Sequence, residues 1–506
     1  MSSLGKGLRW LLILLAICAV VWTATIIGWQ ESRRAVDEAD VLLFIVLLPL
    51  AIFAAVIGLR WAWRVATRAP AVNAASTGAA SAHHDADAAA VQAESQWSMT
   101  IIANAVCCAA GRDGEALQAA AVSRKDLLKP SEAVFDGDGF RVPCIAVEDL
   151  DLTAASHWQR ERLQPDAALP DAEAYERARL DRCIALLDTP LDEALTAIAD
   201  WLTPAAPRSP PKPVRPSALA PAVRSTPPPS LRAALLFPPN FSEAARSLFR
   251  QSVEARLVDA ARRERAQAYL EVEVISDPGA DIRLIDSMMA RAHRADADDI
   301  WLLIGVDSKV DDQTLSHLER RDLVRTARKP QRPAAGEGAF VLALTTLPVT
   351  ADRPPPLARL HRPALAARTA PLSEHGKVSS AVLEAALQTA LAHAATEAAA
   401  ITRVIADVHG YDARAVEVAS AMTAVFEPLD AVADRDDLGL LLGDLGAARV
   451  PGLLALATAT VAASSKPCAV TSVAEVLERH ALVLLPPPEP DSDAESTSGA
   501  AASASS

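Results

Sequence analysis

The chain has 506 residues, 51% of them hydrophobic, which is sufficient for one large or two fused domains with a sizeable core. Its 63 acidic residues outnumber its 49 lysines and arginines, giving a net charge of −14. Nucleic-acid binding needs clustered cations, so this balance argues against a nucleic-acid partner. The six cysteines show no CxxC or other metal-ligand spacing and are expected to be reduced thiols, so the sequence indicates no metal and no other cofactor.

Two apolar segments at the N-terminus are each long enough to cross a bilayer. Residues 10–29 carry no charge, and a second apolar run covers residues 41–59. The first run is longer than the apolar part of a cleaved signal peptide. Lysine and arginine flank the outer ends of the pair, which favours both ends in the cytoplasm. We therefore expect residues 1–68 to form a two-helix transmembrane hairpin that holds a cytoplasmic body at a lipid bilayer.

Three segments of biased composition interrupt the rest of the chain. Residues 69–96 are rich in Ala, Ser, Asp and His without apolar periodicity, and are expected to form a tether. Residues 203–230 contain too many prolines for a helix or a strand, and are expected to be an exposed insertion. The acidic, Ser-rich residues 489–506 are expected to be a disordered tail.

Strand-like and helix-like patterns alternate between these segments. SMTIIANAVCC is followed by a helix from about Gly114, and YLEVEVIS by a helix from Ala280 to His293. IWLLIGVDS and FVLALTTLP are further strands. The run IWLLIGV has no polar alternation, which is typical of a sheet covered by helices on both faces. The pattern predicts an α/β body.

Four motifs, in one order, resemble the β-ketoacyl synthases of the thiolase superfamily. They are ADIRLIDSMMARAHRADADDIWLLIGVDS with the later GEGA and FVLAL, then ADVHGYDARAVE, LLLGDLGAARVPGLLALA and CAVTSVAEVLERHALVLL. The resemblance covers about residues 96–488. It implies a thiolase-like, five-layered αβαβα body made of two duplicated halves, residues 97–350 and 351–488, with the Pro-rich insertion in the first half.

Most residues that carry catalysis in ketosynthases are missing at the matching positions. The nucleophilic cysteine would stand at about Gly279 or Ala280, and neither residue can form an acyl-enzyme. His409 matches the first oxyanion-stabilising histidine, whereas Asp444 replaces the second and Gly439 replaces the family's lysine. A carboxylate at that position would repel a developing oxyanion. The resemblance therefore implies no intact catalytic set, and we expect His409 to pack beside a strand end.

Other polar motifs have simpler structural interpretations. Asp311 and Asp312, like the acids at 296, 298 and 299, are expected to cap helices or face solvent rather than to act as acid–base pairs. The GEG at 336–338 lacks the rest of a phosphate-binding motif and is expected to be a tight turn before a buried strand. His480 is expected at a strand edge.

Three functions stay open at this point. The depleted catalytic set favours a membrane-anchored, non-catalytic scaffold. The whole architecture more loosely resembles adaptors of bacterial type VI secretion that deliver lipase toxins, which implies a secreted effector or secretion component as partner and the bacterial inner membrane as location. An enzyme with altered acyl chemistry would depend on His409. A lipid or acyl-chain sensor would use residues such as Met288 and Met289, which core packing explains equally well. By resemblance to dimeric ketosynthases, a homodimer is a further hypothesis.

Overall fold

The structure of the protein is a computed structural model. It describes the following residues: 92–153, 171–202, 230–264, 266–274, 279–294, 299–350, 353–372, 378–410 and 412–487. The predicted transmembrane hairpin, the predicted tail and most of the predicted tether and Pro-rich insertion lie outside these residues. The chain divides into two compact units, Met1–His84 and Asp85–Ser506, and the description below concerns the second.

The strands of the described residues follow the predicted α/β pattern. In chain order they are β1 (Ser98–Cys108), β2 (Gly111–Asp113), β3 (Lys129–Phe135), β4 (Arg141–Ile145), β5 (Ser230–Phe237), β6 (Gln267–Val274), β7 (Asp299–Ser308), β8 (Ala335–Thr345), β9 (Ala358–His361), β10 (Ala364–Ala367), β11 (Arg403–Ala406), β12 (Arg435–Asp437), β13 (Cys468–Ser472) and β14 (Glu478–Leu485).

Helices alternate with these strands. They are α1 (Gly114–Val122), α2 (Asp171–Ala197), α3 (Ala199–Leu202), α4 (Glu243–Arg263), α5 (Ala280–Arg294), α6 (Asp312–Arg320), α7 (Ala381–His393), α8 (Ala413–Val425), α9 (Leu438–Leu442) and α10 (Arg449–Ser464). Asp311 caps α6 by accepting a hydrogen bond from the Thr314 N–H at 2.9 Å, and Asp312 is exposed in the first turn, so their predicted roles are confirmed. Asp299 contradicts the prediction, because it is 3% exposed and pairs with Arg232 at 2.7 Å.

The first half of the sheet has the strand order β1-β8-β7-β5-β6. β5 runs parallel to β6 and β7, whereas β8 runs antiparallel to both β7 and β1. Every residue of β7 and β8 is buried. The absence of polar alternation in β7 therefore reflects helices on both faces, as the sequence predicts.

The second half of the sheet repeats this arrangement strand for strand. Its order is β9-β14-β13-β11-β12, with β11 parallel to β12 and β13, and β14 antiparallel to β13 and β9. The halves meet where β1 pairs antiparallel with β9, for example at Met99 and Leu360. The repeat passes from the first half to the second between Thr345 and Ala358. This internal repeat is the duplication that the ketosynthase resemblance implies.

The helices pack against the two halves of the sheet in three apolar clusters. α2 and α4 pack against the first half, and α7 and α8 pack against the second. α1, α5 and α10 share one cluster with strands of both halves. Met288 and Met289 belong to this shared cluster and are 2% and 0% exposed, so they are core residues. Helices α5 and α10 therefore pack against both halves of the sheet, in agreement with a thiolase-like α/β body.

One helix of the described region, Gly446–Ser464, is long and apolar enough to cross a membrane by length and composition. It contains α10, and 83% of its apolar window is buried inside the body. Residues 449–461 are all buried. This helix is therefore explained by the protein core.

A small lobe extends from the first half. The β3–β4 hairpin, α6 and the chain after α6 share a separate cluster that includes Val134, Val142, Leu315 and Val324. β4 connects the lobe to the main sheet by pairing in parallel with the start of β8. The lobe thus has its own apolar contacts but a fixed attachment to the sheet.

The end of the predicted tether belongs to the folded body. Residues 92–95 are helical, and Glu94 pairs with Arg294 at 3.1 Å. Trp97 stacks on His293 with ring centroids 5.2 Å apart. The composition of this segment concealed the attachment, because a single acid, Glu94, and the indole of Trp97 that follows the segment provide it without apolar periodicity.

Candidate functional site

The residues predicted from the ketosynthase resemblance lie where the two halves of the sheet meet. Gly279 and Ala280 stand at the start of α5, in the first half. His409 follows β11, Gly439 lies in α9, and Asp444 lies in the turn after α9, all in the second half. We call this region, together with the charged residues that contact it, the junction site.

The position expected for the nucleophile has no room for a side chain in the present arrangement. Gly279 is buried, and a Cβ atom built on it would lie 2.7 Å from Nη1 of Arg283 and 3.0 Å from Oε2 of Glu478. It would also lie 3.1 Å from Cε1 of His480. Arg283 and Glu478 are themselves paired at 2.5 Å. An ion pair and an imidazole therefore occupy the space where a catalytic thiol would project, and the neighbouring Ala280 packs against the central cluster.

His409 and Gly439 are in direct contact. A Cβ atom at Gly439 would lie 2.4 Å from Nδ1 of His409 and 2.5 Å from the carbonyl oxygen of Val408, so a lysine does not fit there without movement of the backbone. Nδ1 of His409 is buried and has no hydrogen-bond partner among the described residues. Burial lowers the pKa of His409, against the opposing charges of Asp444 and Asp407, which favours the neutral imidazole.

Asp444 is held as a charged carboxylate by a lysine from the other half. Its Oδ2 lies 2.7 Å from Nζ of Lys309, and its Oδ1 accepts a hydrogen bond from the Gly446 N–H at 3.0 Å. Burial acts to raise the pKa of Asp444, but the charge and hydrogen bond of Lys309, with the Gly446 N–H, outweigh it and keep that pKa well below its usual range. The charge of the carboxylate is thus balanced by Lys309, and the group does not exchange protons near neutral pH.

Arg449 is the central residue of the junction site. Its Nη2 lies 3.0 Å from Oδ2 of Asp281, and its Nη1 lies 3.5 Å from Oδ2 of Asp407. Asp407 also accepts hydrogen bonds from Oγ of Ser472 at 2.5 Å and from the Val473 N–H at 2.8 Å. Asp281 and Asp407 are 0% and 2% exposed, so both carboxylates depend on these partners. One guanidinium therefore connects the start of α5 in the first half to the end of β11 in the second.

The buried carboxylate of Glu337 corrects the prediction made for the GEG motif. Residues 336–338 lie inside β8 rather than in a turn before it. Glu337 is 0% exposed and makes two hydrogen bonds with Arg182, at 2.5 and 2.8 Å. It also accepts hydrogen bonds from Oγ of Ser308 and from the Val147 N–H. The motif was misread because a buried ion pair on a distant helix cannot be seen in three consecutive residues.

The prediction for His480 is also wrong. His480 is 1% exposed and lies inside the sheet, opposite Ser472 on β13 and Leu365 on β10. Burial lowers its pKa from 6.5 to about 4, with Arg283 and Arg449 adding to the effect. The short strand β10 pairs with β14 on the side away from β13. His480 therefore lies between two strands and not at the expected sheet edge.

The described cysteines and Ser472 are buried, so they are poorly placed to act as nucleophiles. The five described cysteines are all buried and free. Burial raises the pKa of Cys107 and of Cys144 to about 11, so neither thiol ionises at neutral pH. Ser472 donates its hydroxyl hydrogen to Asp407 and is 0% exposed. Within the described residues there is also no group of three or more His, Cys, Asp or Glu side chains suited to a metal ion.

Sequence reasoning missed the residues that connect the halves, namely Asp281, Arg449 and Lys309. Two of them carried a signal. Asp281 stands in register with Ile285 and Met288 on the buried stripe of α5, where a charge requires a partner. Arg449 opens a helix that is otherwise almost entirely apolar. Lys309 carried no such signal, because its partner is distant in sequence.

Residues 357–486 match the family model described as Type VI lipase adapter protein Tla3, C-terminal. The matched region runs from β9 to β14 and includes His409, Gly439, Asp444 and Arg449. It confirms, over the second half of the sheet, the predicted resemblance to a lipase adaptor of type VI secretion. No curated protein matches the chain by sequence.

Solved ketosynthase structures are similar to this fold. The PfaC ketosynthase and chain-length factor is 12% identical with a TM-score of 0.51, covering 78% of this chain and 43% of that one. The ketosynthase from module 6 of the bacillaene synthase from Bacillus subtilis 168 is 10% identical with a TM-score of 0.50, covering 78% of this chain and 72% of that one. At these identities the similarity establishes the thiolase-like fold and nothing about activity.

Proposed function

We propose that this protein is a non-catalytic adaptor, held at the inner membrane of a bacterium, that delivers a lipase effector to a type VI secretion machine. The match of residues 357–486 to the lipase-adapter model carries this proposal. The thiolase-like body supplies a large, rigid framework for binding another protein. The partner is accordingly a secreted lipase or a component of the secretion machine.

The geometry of the junction site supports the non-catalytic part of the proposal. Acyl transfer by the ketosynthase route needs a thiolate and two oxyanion donors. Here the nucleophile position is a buried glycine crowded by Arg283 and Glu478, and Asp444 is paired with Lys309. Ion pairs thus occupy the positions where a substrate thioester and its oxyanion would lie.

Membrane anchoring is the second part of the proposal, and the apolar residues 10–29 and 41–59 support it. A chain with both segments should stay in the membrane fraction after alkaline carbonate washing. A variant that lacks residues 1–68 should be released. Release of the complete chain by carbonate would contradict the anchor while leaving the adaptor role to be tested by secretion.

A secretion assay tests the adaptor role directly. Deleting the gene should abolish export of one lipase effector and leave the export of other type VI cargo intact. The His409→Ala chain should restore export as fully as the natural chain, because an adaptor needs no catalytic imidazole. Lipase export that continues without the gene would contradict the adaptor role. Failure of His409→Ala to complement, when it is produced at normal levels, would favour the altered-enzyme alternative.

We also propose that the protein forms a homodimer through the edge of β6. Among the described residues this strand pairs only with β5, so its other edge has no strand partner there. Tyr269 on this strand is 44% exposed. Light scattering of the detergent-solubilised chain should give the mass of two copies, and placing proline at Ala268 should reduce it to one.

A further inference from the structure

A strongly basic segment follows α6 in an otherwise acidic protein. Residues 320–332, RRDLVRTARKPQR, contain six lysines and arginines and one acid, whereas the whole chain has a net charge of −14. The segment lies in the small lobe, next to the β3–β4 hairpin. A concentration of one charge against the sign of the chain indicates a surface for a partner of opposite charge.

Most of these cations are not used to hold the fold together. Arg328 pairs with Asp138, and Lys329 pairs with Asp322 at 2.5 Å. The remaining four form no ion pair with another described residue; they are Arg320, Arg321, Arg325 and Arg332. Three of them, all except Arg325, are exposed. Their charge is therefore available to an external anion.

Exposed apolar side chains lie beside these arginines. Phe140 at the hairpin tip is 61% exposed, Phe135 is 51% exposed, and Leu323 in the basic segment is 45% exposed. Phe135 and Arg320 line the same groove between β3 and α6. An exposed aromatic ring and an unpaired arginine thus line one groove of the lobe, and the ion pair between Arg328 and Asp138 joins the hairpin tip to the basic segment.

The hairpin tip is fixed by hydrogen bonds rather than free to fold back. Oδ1 of Asp136 accepts hydrogen bonds from the N–H groups of Asp138 at 3.0 Å and Phe140 at 2.9 Å. Its Oδ2 accepts from the Ala327 N–H at 3.4 Å, which connects the tip to the basic segment. Gly139 takes a φ of +81° in this turn, which glycine adopts without strain. These hydrogen bonds fix the backbone of the turn that carries the exposed Phe140, so docking of this turn requires little further ordering of the backbone.

We propose that this surface docks on the anionic headgroups of a lipid bilayer. We call it the lobe patch and define it by these residues: Phe135, Phe140, Arg320, Arg321, Leu323, Arg325 and Arg332. Arginines near an anionic leaflet are attracted to it, and exposed aromatic and aliphatic side chains enter the headgroup boundary. The inference rests on the proposed membrane location only for bringing the lobe close to lipid.

The composition of the patch favours a lipid surface over an acidic protein. Anchors of protein interfaces are enclosed in well-packed pockets, whereas each apolar side chain of the lobe patch is about half exposed on a projecting turn. Asp312 and Glu319 also line the groove beside Phe135, so the groove itself is not uniformly basic. Of the four unpaired arginines, Arg320 lines this groove, whereas Arg321 and Arg332 are exposed and are not among its lining residues. Charge that extends beyond the groove suits a flat layer of anions.

The experiment uses the full chain in nanodiscs of phosphatidylcholine alone or mixed with phosphatidylglycerol. Hydrogen–deuterium exchange is followed in peptides covering residues 132–142 and 320–332, with α8 as the internal control. The anionic discs should slow exchange severalfold in both patch peptides and leave α8 unchanged. High salt should remove this protection, because it screens surface charges. The readout is local, so it applies equally if the chain binds the discs from solution.

Charge-reversal variants distinguish binding by the lobe patch from a general attraction of surface arginines to anionic lipid. Arg320→Glu, Arg321→Glu and Arg332→Glu together should remove the protection, and Phe140→Ser should weaken it. The matched control is Arg250→Glu, Arg262→Glu and Arg263→Glu, three exposed arginines of α4, which should leave it intact. Equal exchange in neutral and anionic discs would overturn the proposal. So would protection that requires an added acidic protein instead of anionic lipid. Lipase export that continues without the gene, while the purified chain still shows lipid protection, would count against the adaptor role alone.

Discussion

Replacing Arg449 by methionine should destabilise the protein strongly, because this side chain neutralises two buried carboxylates at once. Arg449 lies 3.0 Å from Asp281 and 3.5 Å from Asp407. Methionine preserves most of the apolar stem of arginine, so the change removes the charge with little loss of packing volume. The effect therefore reports on the ion pairs and not on a cavity.

The expected magnitude follows from the burial of the two partners. Removing one member of a buried ion pair typically costs about 3–5 kcal/mol, because a charge is left without compensation. Asp281 and Asp407 are 0% and 2% exposed, so neither can recover its hydration. Burial already raises the pKa of Asp281 despite the nearby guanidinium, and this carboxyl group should become protonated in the variant. Protonation limits the loss, so we expect about 3 kcal/mol at neutral pH rather than the upper value.

Urea unfolding of the detergent-solubilised chain, followed by tryptophan fluorescence, measures this loss. Trp201 and Trp301 are each 1% exposed and report the packing of the first half. Arg262→Met is the matched control, because Arg262 pairs with Asp259 on the surface, with both side chains at least 70% exposed. Such surface pairs contribute about 0–1 kcal/mol. A value for Arg449→Met within about 1 kcal/mol of this control would refute the structural role assigned to Arg449.

Three further outcomes follow from burial and from close contacts. Burial lowers the pKa of His361 and His480 from 6.5 to about 4. The folded state then binds fewer protons than the unfolded state. The free energy of unfolding should therefore be constant above about pH 6.5 and fall towards pH 4, by up to about 3 kcal/mol per histidine, and the urea midpoint should fall with it. His480→Gln should make this dependence on pH less steep. N-ethylmaleimide should leave Cys107 and the other described cysteines unmodified in the native protein, by intact mass, and labelling without unfolding would contradict their burial. Gly439→Lys should cost about 1–3 kcal/mol in urea unfolding, because its Cβ would lie 2.4 Å from His409, and a variant as stable as the natural chain would disprove this contact.

The fold was predictable from the sequence because its strands are long, apolar and separated by helices. IWLLIGVDS and the helix that begins at Ala280 carry clear periodicity, and both occur where predicted. The order of motifs also indicated the duplicated body, since collinear segments constrain a topology more than any single match does. The lobe around the β3–β4 hairpin was not predicted, because its strands are short and have mostly exposed residues.

The sequence indicated where the candidate site lies in the chain, but not the ion pairs that it contains. The resemblance to ketosynthase motifs placed His409 and Gly439 in one region, and the structure shows these two residues in contact. The sequence did not indicate that Arg449 and Lys309 complete that region, because ion pairs between residues more than a hundred positions apart leave no local pattern. The same physical reason explains the error at Glu337, whose buried partner Arg182 lies on α2.

The charges of the junction site can be tested for a role beyond stability by replacing them together. Asp281→Leu with Arg449→Met removes one complete ion pair, an exchange that is often neutral or stabilising in a core. Asp407 would then keep Ser472 and the Val473 N–H as its partners among the described residues, without the guanidinium, so this double variant should stay less stable than the natural chain. Adding Asp407→Asn removes the charge, keeps an amide oxygen for the Val473 N–H and places an NH2 group that can donate to Oγ of Ser472. This triple variant should recover stability to within about 1 kcal/mol of the natural protein. If that triple variant also restores lipase export, the network serves the folding of an adaptor. A stable triple variant that fails in export would show instead that the charges themselves act in the function of the protein.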